Sequence, residues 1–213
     1  MNISFIGAGN VGAPLAAHLA EAGHSVVLAT SRDSSESVDR ALSRTPKLSA
    51  RPLREAIQHA DVVFLTTPFS VNESVIRPLS DDLAGKIIVD CTNPVGPGFT
   101  HGLKSERSGS ELVQSFAPRS RVVKAFSIYG FENFENSSYP GYPMKAAMLF
   151  CGDDAAAKST VGTLITDLGF EPVDVGPLSQ ALHLEHMTLL WVKMVRAGGN
   201  SPHRVWGAMR RPS

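Results

Sequence analysis

The chain lacks most of what would mark it for an oxidising, metal-bound, membrane or nucleic-acid setting. Among 213 residues there are two cysteines, Cys91 and Cys151, each in an apolar run, without C-x-x-C spacing or a neighbouring ligand cluster. A disulfide framework or metal site needs more than that, so both are expected to be reduced core thiols of a cytoplasmic protein, with no bound metal. Neither sign of charge is in excess: 20 Lys and Arg balance 20 Asp and Glu, which removes the electrostatic case for nucleic acid or an acidic membrane as partner. Long apolar runs are missing too. A membrane span takes about 18 consecutive apolar residues, whereas "LLWVKMV" carries Lys193 and is soon followed by Gly198-Gly199. "MNISFIGAGN" has no basic stretch and no long apolar core before its first strand, so no signal peptide is expected.

What is present is an alternation of strand and helix patterns. An apolar strand at Ile3, Phe5 and Ile6 runs into a glycine turn, then a helical run from about Val11 to Ala22 with Val11, Leu15, Leu19 and Ala22 on one face, stopped by Gly23. "SVVLAT" is the second strand, 33–45 a polar helix, and "PLREAIQHA" a helix leading into "DVVFLTTP", a continuous apolar strand of the kind covered on both faces. Then come "VNESVIRPL" as helix, "KIIVDC" as strand, a Gly- and Pro-rich loop, a helix at 108–117, "RVVKAF" as strand and a long loop over 128–145. "KAAMLFCG", a helix from "DDAAAK" to Gly169, and "EPVDVG" complete the strands. Ser179 is read as the cap of a last helix, "QALHLEHMTLLWVKMVRA", which is apolar on nearly every side and therefore expected to be buried, against a partner subunit in a homodimer. The pattern predicts an α/β fold of the Rossmann type: a doubly wound, mainly parallel sheet over 1–150, with a small carboxyl-terminal α/β and helical extension over 151–213 that packs on the sheet and forms the dimer interface.

Gly7-Ala8-Gly9-Asn10-Val11-Gly12 is G-x-G-x-x-G directly after a strand and opening a helix. The first glycine permits the tight turn, the second lets the backbone approach a pyrophosphate, and the third lets helix and strand pack closely. Amides at the helix start then face the phosphates. In NAD-binding versions an acid at the end of the second strand takes the ribose 2′-hydroxyl. Here that slot holds Thr30, followed by Ser31 and Arg32. Hydroxyls and a guanidinium suit a 2′-phosphate, which a carboxylate would repel, so NADP(H) is expected. Asp33, one residue further, is read as a cap for the following helix.

The second substrate belongs beyond the carboxyl ends of the strands, in the loops 66–70, 90–98 and 126–134. Thr67, Pro68, Asn93 and Pro94 should line the nicotinamide side. These loops have few ionisable groups, and no catalytic residue is assigned, His101 being a weak candidate acid. Phe69, Phe99, Phe126, Tyr129, Phe131 and Phe134 offer apolar faces, for the ligand or for the core. Hydride transfer to a carbonyl needs an acid or base near the oxygen, but transfer to a flavin-like ring can proceed by stacking and positioning. Three readings follow: hydride transfer to a second redox cofactor; reduction of a small-molecule C=N or C=O bond, with His101, Tyr129 or a substrate-bound water as donor; and a sensor that binds NADP without turnover. His183 and His186 are read as buried or interface histidines.

"SFIGAGNVGAPLAAHLAEAGH", the "SR" after strand two, "LTTP", "VVKAF" and "CGDDAAAKSTVGTLITDLGFEPVDVGPLSQALHLE" together resemble the NADPH-dependent coenzyme F420 reductases and the cytosolic domain of the STEAP metalloreductases, in which NADPH reduces a flavin. The resemblance implies that Gly9, Asn10 and Val11 contact the pyrophosphate, Ser31 and Arg32 the 2′-phosphate, and Thr67 and Pro68 the nicotinamide. It also implies a dimer through the last helix, and coenzyme F420 or flavin as second substrate. The chain has "TPF" where the deazaflavin reductases carry "IPW".

Overall fold

The structure, a computed structural model, describes residues 1–30 and 36–211. β1 (Asn2–Ile6) leads through the glycine turn into α1 (Gly12–Glu21), followed by β2 (Ser25–Thr30), α2 (Glu36–Arg44), β3 (Ser49–Pro52), α3 (Leu53–Gln58) and β4 (Val62–Leu65). α4 (Asn72–Ile76) has 3-10 turns on both sides, and β5 (Ile87–Asp90) follows. The tiny hairpin β6 (Val95–Gly96) and β7 (Thr100–His101) precedes α5 (Gly109–Phe116) and β8 (Arg121–Lys124). The chain finishes with β9 (Ala147–Gly152), α6 (Ala155–Asp167), β10 (Glu171–Asp174) and α7 (Ala181–Val192), which runs on into a π-helical turn, Lys193–Ala197.

Eight strands form one sheet in the order β10-β9-β8-β5-β4-β1-β2-β3. From β1 the chain winds one way to β2 and β3, then returns to β4 and winds the other way, so the strand order switches between β1 and β4, where a crevice opens at the carboxyl ends. Every residue of β4 and β5 is buried, because helices cover both faces, and this is why both read as unbroken apolar runs.

Within the eight-stranded sheet, among the described residues, the one antiparallel pairing is β8 with β9. No crossover helix separates them; a loop returns the chain beside β8, and only helical crossovers such as α6 keep neighbours parallel. β9 and β10 thereby extend the same sheet, and the 150/151 position falls inside β9. The edge strand β3 was not foreseen. All four of its residues are exposed, so it carries no apolar alternation, and Pro52 closes it without needing to donate a hydrogen bond.

α6 opens with Asp154 accepting from the Ala157 amide at 2.7 Å and ends before Gly169, whose φ of 87° is a helix-terminating geometry. Ser179 does not cap α7. It lies in the 3-10 turn Leu178–Gln180, and α7 starts at Ala181 without a side-chain cap. The burial of α7 is also one-sided: Leu184, Glu185, Thr188, Trp191 and Val195 face inward, while Leu190 is 53% exposed. Among the described residues no helix is long and apolar enough to cross a membrane.

Candidate functional site

The glycine turn is tied to the neighbouring strand from below. Thr66, directly after β4, donates its hydroxyl to the Gly7 carbonyl at 2.7 Å. Gly7 sits at φ 106°, and a Cβ there would lie 2.9 Å from the Thr66 carbonyl carbon and oxygen. A Cβ on Gly12 would strike the Gly7 carbonyl oxygen. Gly9 has nothing within 4 Å of the place its Cβ would take. The outer two glycines therefore serve the protein's own packing, and the middle one keeps space open. α1 has no side-chain cap and no acid in its first turn, so its free amides present partial positive charge to whatever enters.

Gly9 and Asn10 border a cavity of about 180 Å³ with Ala13, Phe131, Glu135 and, from α2, Arg40 and Arg44. Thr30 borders another, of about 820 Å³, with Arg51, Leu53, Ser74 and Val75. Both flank the end of the sheet where the glycine turn lies.

Beneath the loops that follow β4, β5 and β8 runs a network of buried polar groups. Asp90, Lys124 and Glu185 have at most 1% exposure. The Lys124 ammonium is 3.3 Å from Glu185 Oε1 and 3.7 Å from Asp90 Oδ2, and it donates to the Thr92 carbonyl. Burial alone would lower its pKa, but Asp90 and Glu185 outweigh burial and raise it. Asp90 accepts from the Ser110 hydroxyl at 2.5 Å and from the Thr92 amide and hydroxyl at 3.0 and 2.7 Å. Glu185 accepts from the Gly109 amide at the start of α5, 2.9 Å away, where the helix dipole favours a carboxylate.

His101 belongs to this network. Its Nδ1 accepts from the Ser105 and Leu103 amides at 3.1 and 3.3 Å, which leaves the ring proton on Nε2, donating to Glu185 Oε2 at 2.8 Å. With 3% of its side chain exposed, it holds the β6–β7 hairpin to α7. Thr188 of α7 donates to the Ser127 carbonyl at 2.5 Å, and Asn93 Nδ2 donates to the same oxygen at 3.1 Å, so α7 fixes both loops of the cleft floor.

Residues 2–94 match the family described as coenzyme F420-dependent NADP oxidoreductases. Over those residues, somewhat under half of its length, the chain is similar to this family. It is 31% identical over 188 residues to metalloreductase STEAP3 of Rattus norvegicus, covering 88% of this chain and 36% of that protein. It is 30% identical over 147 residues to the F420-dependent NADP reductase of Methanocaldococcus jannaschii, covering 65% of this chain and 64% of the other. The chain thus spans about a third of the metalloreductase and somewhat under two thirds of the reductase. A crystal structure of a candidate F420-dependent NADP reductase from Arthrobacter sp. FB24 superposes with a TM-score of 0.80 at 26% identity, over 93% of this chain and 95% of that one.

The residues expected to bind the dinucleotide fall along the carboxyl end of the sheet. Gly7, Gly9, Asn10, Val11 and Gly12 follow β1, Thr30 ends β2, Thr67 and Pro68 follow β4, and Asn93 and Pro94 follow β5, on adjacent strands. Ser31, Arg32 and Asp33 lie outside the described residues. Of the aromatic candidates, Phe126, Tyr129 and Phe134 turn into a core cluster with Phe170, while Phe131 borders the cavity beside Gly9. His183 is exposed, and His186 accepts or donates at 2.9 Å with Ser105. Both cysteines are buried and free; burial pushes the Cys151 thiol up to about 12 and, with the Asp90 charge, lifts Cys91 well above its usual value, so neither is a reactive thiolate.

Sequence reasoning missed Thr66, Asn72, Asp90, Lys124 and Glu185. A signal was there. Lys124 interrupts "RVVKAF", Asp90 ends "KIIVDC" and Glu185 sits in an apolar helix, and charges inside apolar runs must find partners when buried.

Proposed function

We propose that the chain is a cytoplasmic NADP(H)-dependent oxidoreductase that moves a hydride between nicotinamide and a second planar redox cofactor, coenzyme F420 or a flavin, by positioning the two. One observation carries this reading. Of the ionisable side chains in the loops 66–70, 90–98 and 126–134, Asp90, Cys91 and Tyr129 are buried, Glu132 is paired with Arg196 at 2.5 Å, and the nearby His101 is buried as well. Each acid or base of these loops is thus buried or held in an ion pair rather than offered to a carbonyl or imine oxygen or nitrogen, which favours an acceptor whose own ring carries the chemistry. The bound NADPH would supply the hydride from C4 of its nicotinamide ring.

The protein's part is to bind, orient and exclude water. The uncapped start of α1 and the open space at Gly9 suit the pyrophosphate. Thr30, with Ser31 and Arg32, suits the 2′-phosphate. Thr67, Pro68, Asn93 and Pro94 suit the nicotinamide, on loops held stiff by the Asp90–Lys124–Glu185 network. Leu182, Leu189 and Leu190 on the outer side of α7 suit a homodimer contact, and a solution mass of twice the chain mass is the expected result in sedimentation.

The test is to follow NADPH oxidation with coenzyme F420, FMN or FAD, and separately with imine and carbonyl acceptors. Turnover with F420 or a flavin alone is expected. Turnover only with imines or carbonyls would replace this reading by that of a small-molecule reductase, and tight NADPH binding with no turnover would make the chain a sensor. In the same assay Arg32→Ala is expected to weaken NADPH binding by about 1.5–3 kcal/mol, the range for a charged hydrogen bond, with NADH little changed. Equal loss for both would remove the 2′-phosphate role.

A further inference from the structure

The hydrogen bonds that lead from Asp90 to the cleft have only one possible direction. Asp90 Oδ1 takes the Thr92 backbone N–H at 3.0 Å, a donor that cannot reverse, so this oxygen is an acceptor. The Thr92 hydroxyl, 2.7 Å from the same atom, must donate to it. A hydroxyl has one proton, so towards Asn72 the Thr92 oxygen can only accept. The group facing it at 2.8 Å is therefore the Asn72 amide nitrogen, Nδ2. That orientation turns Asn72 Oδ1 towards Thr67, whose hydroxyl donates to it at 2.8 Å.

Asn72 and Thr92 are buried, at 1% and 4% exposure, so neither amide nor hydroxyl has solvent as an alternative partner. Thr67 is half-buried, and at Thr67 the chain of bonds emerges, at the carboxyl end of β4 beside the crevice. Its single proton is committed inward. What its Oγ1 offers outward is lone pairs alone.

We infer that Thr67 is a specificity-determining residue, an acceptor-only hydroxyl that reads an N–H donor on the bound dinucleotide, the carboxamide N–H of the nicotinamide ring. The inference rests on the dinucleotide reading above. A free threonine hydroxyl could donate or accept and would tolerate a carbonyl in place of the amide nitrogen. One polarised by Asn72, Thr92 and Asp90 does not, because a lone pair facing a carbonyl oxygen or a methyl group leaves its acceptor unmet. The carboxamide is thereby held in one of its two flipped orientations, which fixes the rotation of the ring that presents C4.

Calorimetric titration of the whole chain with NADP and with its acetylpyridine analogue, in which a methyl group replaces the carboxamide nitrogen, tests this. The wild type is expected to prefer NADP by about 2- to 10-fold, the size of one neutral hydrogen bond. Thr67→Ser should keep the preference, and Thr67→Val should remove it. Thr67→Ala serves as a second variant if the valine does not fold. Equal wild-type affinity for the two ligands overturns the inference, as does a Thr67→Val protein that keeps the preference or loses both ligands by the same factor. A wild type that binds neither dinucleotide would instead overturn the reading on which the inference rests.

Discussion

Lys124→Met is expected to lower the unfolding free energy by about 3–5 kcal/mol, the cost of breaking a buried ion pair from one side. Methionine fills much of the same volume, so the loss is electrostatic. Asp90 and Glu185 would stay buried, facing each other without the ammonium that now lies 3.7 and 3.3 Å from them. For a chain of this length the midpoint should fall by roughly 6–20 °C, at about 2–4 °C per kcal/mol, which differential scanning fluorimetry would detect. A change under about 1 kcal/mol would show that the carboxylates are compensated by something else. The pH sign follows from the raised Lys124 pKa. A group whose folded value is raised contributes fully below its unfolded value, about 10.4 for lysine, and loses that contribution only as pH rises through the higher folded one. The Lys124 contribution is therefore expected to be flat across the neutral range, which urea unfolding at several pH values would check.

Gly12→Ala and Gly9→Ala are expected to separate folding from binding. At Gly12 the added Cβ would meet the Gly7 carbonyl oxygen and the Thr66 hydroxyl, and neither can retreat, because Gly7 is held by the Thr66 hydrogen bond at 2.7 Å. Overpacking of this kind costs about 1–3 kcal/mol, and by displacing the turn it should also abolish dinucleotide binding. At Gly9 the methyl group meets nothing within 4 Å. Stability should stay within about 0.5 kcal/mol of the wild type, while NADPH binding, read by calorimetry, weakens by about tenfold or more as the methyl occupies the approach to the pyrophosphate. A Gly9→Ala protein that binds NADPH as well as the wild type would place the phosphates elsewhere.

The order of strands and helices was legible because most of it rests on local causes. β4 and β5 are apolar throughout, α6 is announced by Asp154 and closed by Gly169, and the glycine turn needs its three glycines at fixed spacing. β3 was not legible, since an exposed edge strand has no buried face to impose a pattern. The cap expected at Ser179 failed because a 3-10 turn, Leu178–Gln180, moves the start of α7 past it. The aromatic loop residues carried no sign of which way they would turn: Phe126, with φ at 54°, is buried against Phe64, Phe134 and Phe170, whereas Phe131 stays at the cavity beside Gly9.

By itself the sequence determined the doubly wound class, the dinucleotide turn and the scarcity of ionisable groups in the cleft loops. These follow from periodicity and spacing within about one βαβ unit, where chain neighbours are also spatial neighbours. Only the tertiary structure decided that Asp90, Lys124, His101 and Glu185 meet. They come from β5, β8, the β6–β7 hairpin and α7, and a buried charge reveals its need for a partner but not which distant segment supplies it. The same holds for Thr67. Its hydroxyl has no direction in the sequence, and acquires one because Asn72 and Thr92 link it to a carboxylate on the neighbouring strand.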